Sequence, residues 1–139
     1  MSGYIMDLRK IVGHRTLLQV GASVIVEDEQ GRVLLQKRTD NHCWGYPGGS
    51  TELDERVEDA AARELFEETG LVAERLELFG VFSGKELHYI YPTGTKYPMW
   101  ISCLYVRRIP GSCGGIKMKQ RPLGFSSRES CRKTFRRPL

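Results

Sequence analysis

The run Arg63-Glu64-Leu65-Phe66-Glu67-Glu68-Thr69-Gly70-Leu71 constrains this chain more than any other stretch. A helix turns about 100° per residue, so the carboxylates of Glu64, Glu67 and Glu68 would share an arc of roughly 100°. Like charges at i,i+3 and i,i+4 destabilise an isolated helix by about 0.2–0.5 kcal/mol per pair. Hard divalent cations bound through oxygen offset such repulsion. Val57, Ala61, Ala62, Leu65 and Phe66 form an apolar arc beside the acidic one. The helix is therefore expected to pack one flank on a core and hold the acidic flank at the rim of a cleft. A solvated Glu-rich face is the plainer alternative. Such faces interleave Lys or Arg at i±4, whereas here only Arg63 does so, four residues before Glu67. Thr51 or Asp54 can cap the helix start, Glu55, Glu58 and Asp59 place negative charge in its first turns, and Gly70 suits a left-handed stop.

Upstream, Trp44-Gly45-Tyr46-Pro47-Gly48-Gly49 is a turn cluster that brings backbone close to the helix start. From Gly49 to Leu71 the chain fits GX5EX7REUXEEXGU, with U a bulky aliphatic, at Gly49, Glu55, Arg63, Glu64, Leu65, Glu67, Glu68, Gly70 and Leu71. That agreement resembles the Nudix box, and the chain resembles a Nudix hydrolase of the bacterial, MutT-like type. Residues 20–26 and 33–38 read as strands joined by a hairpin-type turn at 27–31. Further strands are expected at 76–82, 88–91 and 99–106, with a turn at 92–95. The likeness covers roughly residues 15–106 and implies an α/β fold: an α/β/α sandwich around a mixed β-sheet, with the box helix packed on one face.

Length and composition fit one compact domain, at 139 residues, 40% hydrophobic and 27% charged. No long apolar stretch opens the chain, so neither a leader nor a membrane span is expected. Cys43, Cys103, Cys113 and Cys131 have no zinc-type CxxC spacing, and reduced thiols in a cytoplasm are the simplest reading. Charge is unevenly spread: residues 1–106 carry a net −5 and residues 107–139 a net +9, within an overall +4. The expected organisation is a Nudix domain over 1–106, its end left open, followed by a basic, atypical segment 107–139 that is non-native in sequence or poorly ordered. That segment has only Phe125 and Phe135 as aromatics, so it lacks the interleaving of a single-strand binder, and nucleic acid is not an expected partner.

The resemblance implies hydrolysis of a nucleoside diphosphate linked to a moiety X, of nucleoside triphosphate, nucleotide sugar or ADP-ribose type, by water attack on the diphosphate. It implies Mg²⁺ as cofactor, with Mn²⁺ as a substitute. By matched position Glu64, Glu67 and Glu68 are the metal ligands, Gly49 offers a backbone carbonyl, and Glu55 adds a direct or indirect contact. Glu64 or Glu67 is the base for water. Arg63 holds Glu55 or Glu67, while Gly48 and Gly70 support the loop and the helix end. Arg38, Tyr46, Phe82 and Tyr89 are the substrate-binding candidates. For Arg38 the alternative is an exposed strand-end charge, and for the aromatic residues it is core packing. Many relatives pair, so a homodimer is a further expectation. A different class of function stands beside this one: a non-catalytic binder of nucleotides or nucleic acid on the same scaffold.

Overall fold

The computed structural model describes residues 3–28, 30–39, 42–90, 96–107 and 123–126. In chain order it contains α1 (Tyr4–Val12), β1 (Gln19–Glu27), β2 (Val33–Lys37), β3 (Trp44–Gly45), β4 (Gly48–Ser50), α2 (Val57–Thr69), β5 (Glu77–Phe82), a 3-10 turn (Lys85–Leu87), β6 (His88–Ile90), β7 (Lys96–Arg107) and β8 (Leu123–Ser126). One mixed sheet runs β3-β2-β1-β7-β5, with β4 on β1, β6 on β7 and β8 on β2. β1 and β7 are parallel from Gln19↔Met99 to Glu27↔Arg107, and the other pairings are antiparallel.

The core follows from the two-residue period of the strands. Ala22, Val24 and Val26 of β1 and Leu34 of β2 point to one face, where they meet Ala60, Ala61 and Leu65 of α2 together with Leu71. Ile25, Val33 and Leu35 point to the other face and pack with Tyr46. Leu65 is fully buried, worth about 1.5–3 kcal/mol relative to exposure. This burial fixes which side of α2 meets the sheet, and hence where its acidic flank lies.

The ends of α2 differ from the sequence expectation at one end and agree at the other. Neither Thr51 nor Asp54 caps the start: Arg56 takes that position, with extended backbone and no side-chain bond. Glu55 consequently lies outside the helix, and its Oε2 accepts the Glu52 N–H at 2.9 Å. At the C-terminus Gly70 adopts φ 74°, and its N–H reaches the Phe66 carbonyl at 2.8 Å, a left-handed stop that a Cβ would disfavour. Phe66 is also a correction, since it is 57% exposed rather than part of the packed arc.

The expected turn at 27–31 is organised by Asp28, whose Oδ1 accepts the N–H groups of Gln30 and Arg32 while Oδ2 accepts Arg32 Nε at 2.7 Å. α1, β3, β4 and β8 were not expected. α1 buries no residue, and its first N–H, from Tyr4, is satisfied by Glu52 Oε2 at 2.9 Å. β7 extends beyond the expected 99–106 at both ends. β8 lies within the basic segment and pairs Leu34↔Phe125 and Leu35↔Gly124 on β2. Tyr91, the turn at 92–95 and the rest of the basic segment lie outside the described residues. Among the described residues no helix is long and apolar enough to cross a membrane.

Candidate functional site

β4 is stitched antiparallel to β1 through Gly21↔Ser50, Ala22↔Gly49 and Ser23↔Gly48. Ala22 of this stretch also packs against α2, so the Gly48–Gly49 backbone and the acidic flank of α2 are brought together from opposite ends of the box. The contact is tight at Gly49. A Cβ there would stand 2.5 Å from Glu64 Cδ and Oε1, so only glycine leaves room for this carboxylate.

Arg63 organises the carboxylates around it. Its Nε donates to Glu55 Oε1 at 2.7 Å and its Nη2 to Glu55 Oε2 at 2.9 Å, a two-point clamp. Nη1 donates to Glu64 Oε1 at 2.8 Å and lies 3.7 Å from Glu67 Oε2. Nη2 also reaches the Ser50 carbonyl at 3.1 Å, tying the helix to β4. Glu68 is held separately. Its Oε2 accepts the Gly48 N–H at 2.9 Å and a hydrogen bond from Gln36 Nε2 on β2.

The electrostatics divide the carboxylates. The Arg63 hydrogen bond holds Glu55 below the usual carboxylate range, against partial burial. Burial raises the Glu64 pKa; the hydrogen bond and charge of Arg63 oppose that shift, while the charges of Glu68 and Glu67 add to it. The Glu55 side chain pushes the Arg63 guanidinium well above its ordinary value, so Arg63 is a permanent cation here.

The three helix carboxylates therefore do not point at one spot: Glu64 and Glu67 face Arg63, while Glu68 faces Gln36 and Gly48. Among the described residues no group of three or more acidic, imidazole or thiol side chains stands ready to hold an ion. The donor set still fits a hard divalent cation. It is all oxygen, and Mg²⁺ keeps several waters and takes only one or two carboxylates, the rest coming from phosphate oxygens. The missing Cβ at Gly49 is the space that lets the Glu64 carboxylate lie against the loop.

The substrate candidates fall in different places. Arg38 follows β2, half-buried, with its N–H on the Cys43 carbonyl at 2.8 Å across the hairpin. Tyr46 packs on Ile25, Val33 and Leu35, the sheet face opposite α2. Phe82 lies on β5 and stacks on Phe79, with ring centroids 6.4 Å apart. Its partner on β7 is Ile101, which pairs with Gly21 on β1. Tyr89 pairs with Tyr97 through β6 and β7, and its side chain lies outside the described residues. Sequence reasoning missed Gln36, although its place two residues after core Leu34 marks it as facing α2.

The profile of the NUDIX domain family matches residues 17–113. The chain belongs to the NUDIX domain family. A MutT-like protein of Streptomyces ambofaciens is 47% identical over 66 residues, 48% of this chain and 43% of that protein. A putative 8-oxo-dGTP diphosphatase of Bacillus subtilis is 45% identical over 62 residues, 45% of this chain and 42% of that one. The chain thus covers less than half the length of these curated NUDIX relatives. The crystal structure of MutT protein from Methanosarcina mazei Go1 superposes with a TM-score of 0.67 at 20% identity, covering 86% of this chain and 83% of the other. That likeness gives the fold, a NUDIX α/β sandwich, in agreement with the mixed sheet and the box helix on one face. Hydrolases of this family act with a divalent metal ion.

Proposed function

We propose that this chain is a Nudix-type diphosphohydrolase that cleaves a nucleoside diphosphate linked to a moiety X by attack of water on the diphosphate, with Mg²⁺ as its ion and Mn²⁺ as a substitute. The observation that carries the reading is the set of carboxylates braced from three sides: Glu64 against Gly49, Glu55 by Arg63, and Glu68 by Gln36 and Gly48. A glutamate row held this firmly against mutual repulsion suits positioning for cationic and phosphate chemistry better than a solvated face does.

In this reading Glu64, Glu67 and Glu68 hold the ion between them, directly or through its waters, with the Gly49 carbonyl and Glu55 in support. The ion, when bound, neutralises charge developing on the diphosphate oxygens and lowers the pKa of attacking water. Of the two candidate bases, Glu64 is the better enclosed, since Glu67 is 47% exposed. Arg63 is a positioning residue: its guanidinium bridges Glu55 and Glu64 and ties α2 to the Ser50 carbonyl. Gly48 contributes its N–H to Glu68, and Gly70 ends the helix one residue after Thr69. Arg38, at the end of β2, is the candidate to clamp a phosphate. Phe82 and Tyr89 are the candidates to meet the base or X, and Tyr46 supports the loop from behind through its packing. The name of the Bacillus subtilis relative supports a nucleoside triphosphate as one form of substrate, beside the nucleotide-sugar and ADP-ribose types. A domain that spans at least residues 1–106 and takes in β8 through its pairing with β2, residence in the cytoplasm and pairing of two copies belong to the same proposal.

Incubating the purified chain with a panel of nucleoside triphosphates, nucleotide sugars and ADP-ribose in Mg²⁺, and assaying released nucleoside monophosphate and phosphate, tests it. Turnover of at least one class supports hydrolysis. Tight binding with no product on any member would favour the non-catalytic binder.

A further inference from the structure

Gln36 is 2% exposed, one of the largest fully buried side chains described, in a strand whose other inward positions are aliphatic. It shares the α2-facing side of β2 with Leu34, two residues earlier. An ionised carboxylate only accepts hydrogen bonds, so the amide nitrogen of Gln36 must face Glu68. The amide oxygen is then left buried, with no hydrogen-bond partner among the described residues. A buried acceptor without a partner is destabilising. Judged by folding alone, an aliphatic side chain of similar volume would serve this position better.

We propose that Gln36 is a positioning residue for the cation site, fixing the carboxylate of Glu68 in the orientation that binds the ion. Two donors from different elements meet on Glu68 Oε2: Gln36 Nε2 from β2 and the Gly48 N–H from β4. A planar carboxylate with one oxygen fixed by two donors has its plane set, and so the heading of its other oxygen. Gln36 does this without bringing a charge. A Lys or Arg in its place would neutralise Glu68 and compete with the ion, while a Glu would repel it. The inference rests on the reading of Glu68 as a metal ligand. Partners of this kind, which orient a ligand without touching the metal, change metal affinity by about 10–100-fold when removed.

The test uses Mn²⁺ alone, with the free ion read by electron paramagnetic resonance, and needs no substrate. Gln36→Met keeps the volume and removes the donor. It is expected to weaken the tightest Mn²⁺ binding about tenfold or more, while the melting temperature of the metal-free protein stays level or rises. Glu68→Gln should weaken binding as well, and the double variant should bind no worse than Glu68→Gln. Wild-type affinity in Gln36→Met beside a weakened Glu68→Gln overturns the role of Gln36 and leaves the site standing. Unchanged binding in both variants overturns the role of Glu68 and with it that of Gln36. A lower melting temperature in parallel with weaker binding, or additive losses in the double variant, reduces Gln36 to a structural residue. Should Gln36→Met fail to fold, Gln36→Asn, which keeps the amide but withdraws it by one methylene, must show the same weakening for the inference to stand.

Discussion

The Glu64 carboxylate lies against Gly49 so closely that a single methyl group on the glycine would stand 2.5 Å from Glu64 Cδ. Gly49 pairs with Ala22 on β1 and Glu64 projects from α2, so the loop and the helix are matched through one absent side chain. The glycine of the box is thus a spatial requirement of its glutamate.

Gly49→Ala should consequently damage the site more than the fold. The atoms a Cβ would displace are the far end of a flexible side chain, so the carboxylate can swing aside at a cost of under about 1 kcal/mol, the scale of an off-rotamer side chain. Chemical denaturation should register that small loss. Hydrolysis and Mn²⁺ affinity should fall by about 10–100-fold, as when a ligand loses its orientation.

Arg63→Lys should be costly despite keeping the charge. A lysine cannot reproduce the two-point clamp on Glu55 together with the bonds to Glu64 and the Ser50 carbonyl. Loss of charge-assisted hydrogen bonds at this partly exposed position should lower stability by about 1–3 kcal/mol in urea titration.

Glu64→Gln should separate stability from function through pH. The folded protein raises the proton affinity of Glu64 above its unfolded value. Its contribution is therefore fully present below the ordinary carboxylate pKa and is lost as pH climbs through the raised one. In metal-free protein at neutral pH the neutral amide should match or exceed the wild-type melting temperature. The advantage should shrink as pH falls into the ordinary carboxylate range, and Glu55, held low by Arg63, works in the opposite sense there.

Leu65→Ala and Phe66→Ala should differ sharply. Leu65 is fully buried against the sheet, whereas Phe66 is largely exposed. The first should cost about 2–5 kcal/mol, and the second about 0.5 kcal/mol or less. Equal losses would mean that α2 is rotated relative to the packing described.

What could be read from the sequence follows the range over which each residue acts. Glu64, Glu67, Glu68 and Arg63 lie within one helix, so their spacing along it was legible, whereas the turn of Glu68 toward Gln36 and Gly48, away from Glu64 and Glu67, depends on other elements. Gly70 was legible because its role is local too. The helix start was misjudged because Glu55 is claimed by Arg63, eight residues later, and a turn at residues 53–54, with Asp54 at φ 61°, delays the helix until after Arg56. Phe66 was placed in the core because its angle on the helix wheel borders that of Leu65, and only the position of the sheet excludes it. Gln36 depends on a partner 32 residues away and looks like the end of an aliphatic strand. β4 and β8 are short and contain glycine, with no alternation to signal them, and each exists only through its pairing with β1 or β2.

The most direct test of the central claim is the turnover of a nucleoside diphosphate–X substrate in Mg²⁺ by wild type and Glu64→Gln, measured side by side on proteins shown to be folded. The account predicts a fall in kcat of about two to four orders of magnitude, the scale for losing general acid–base chemistry. Turnover left intact by the substitution would contradict it.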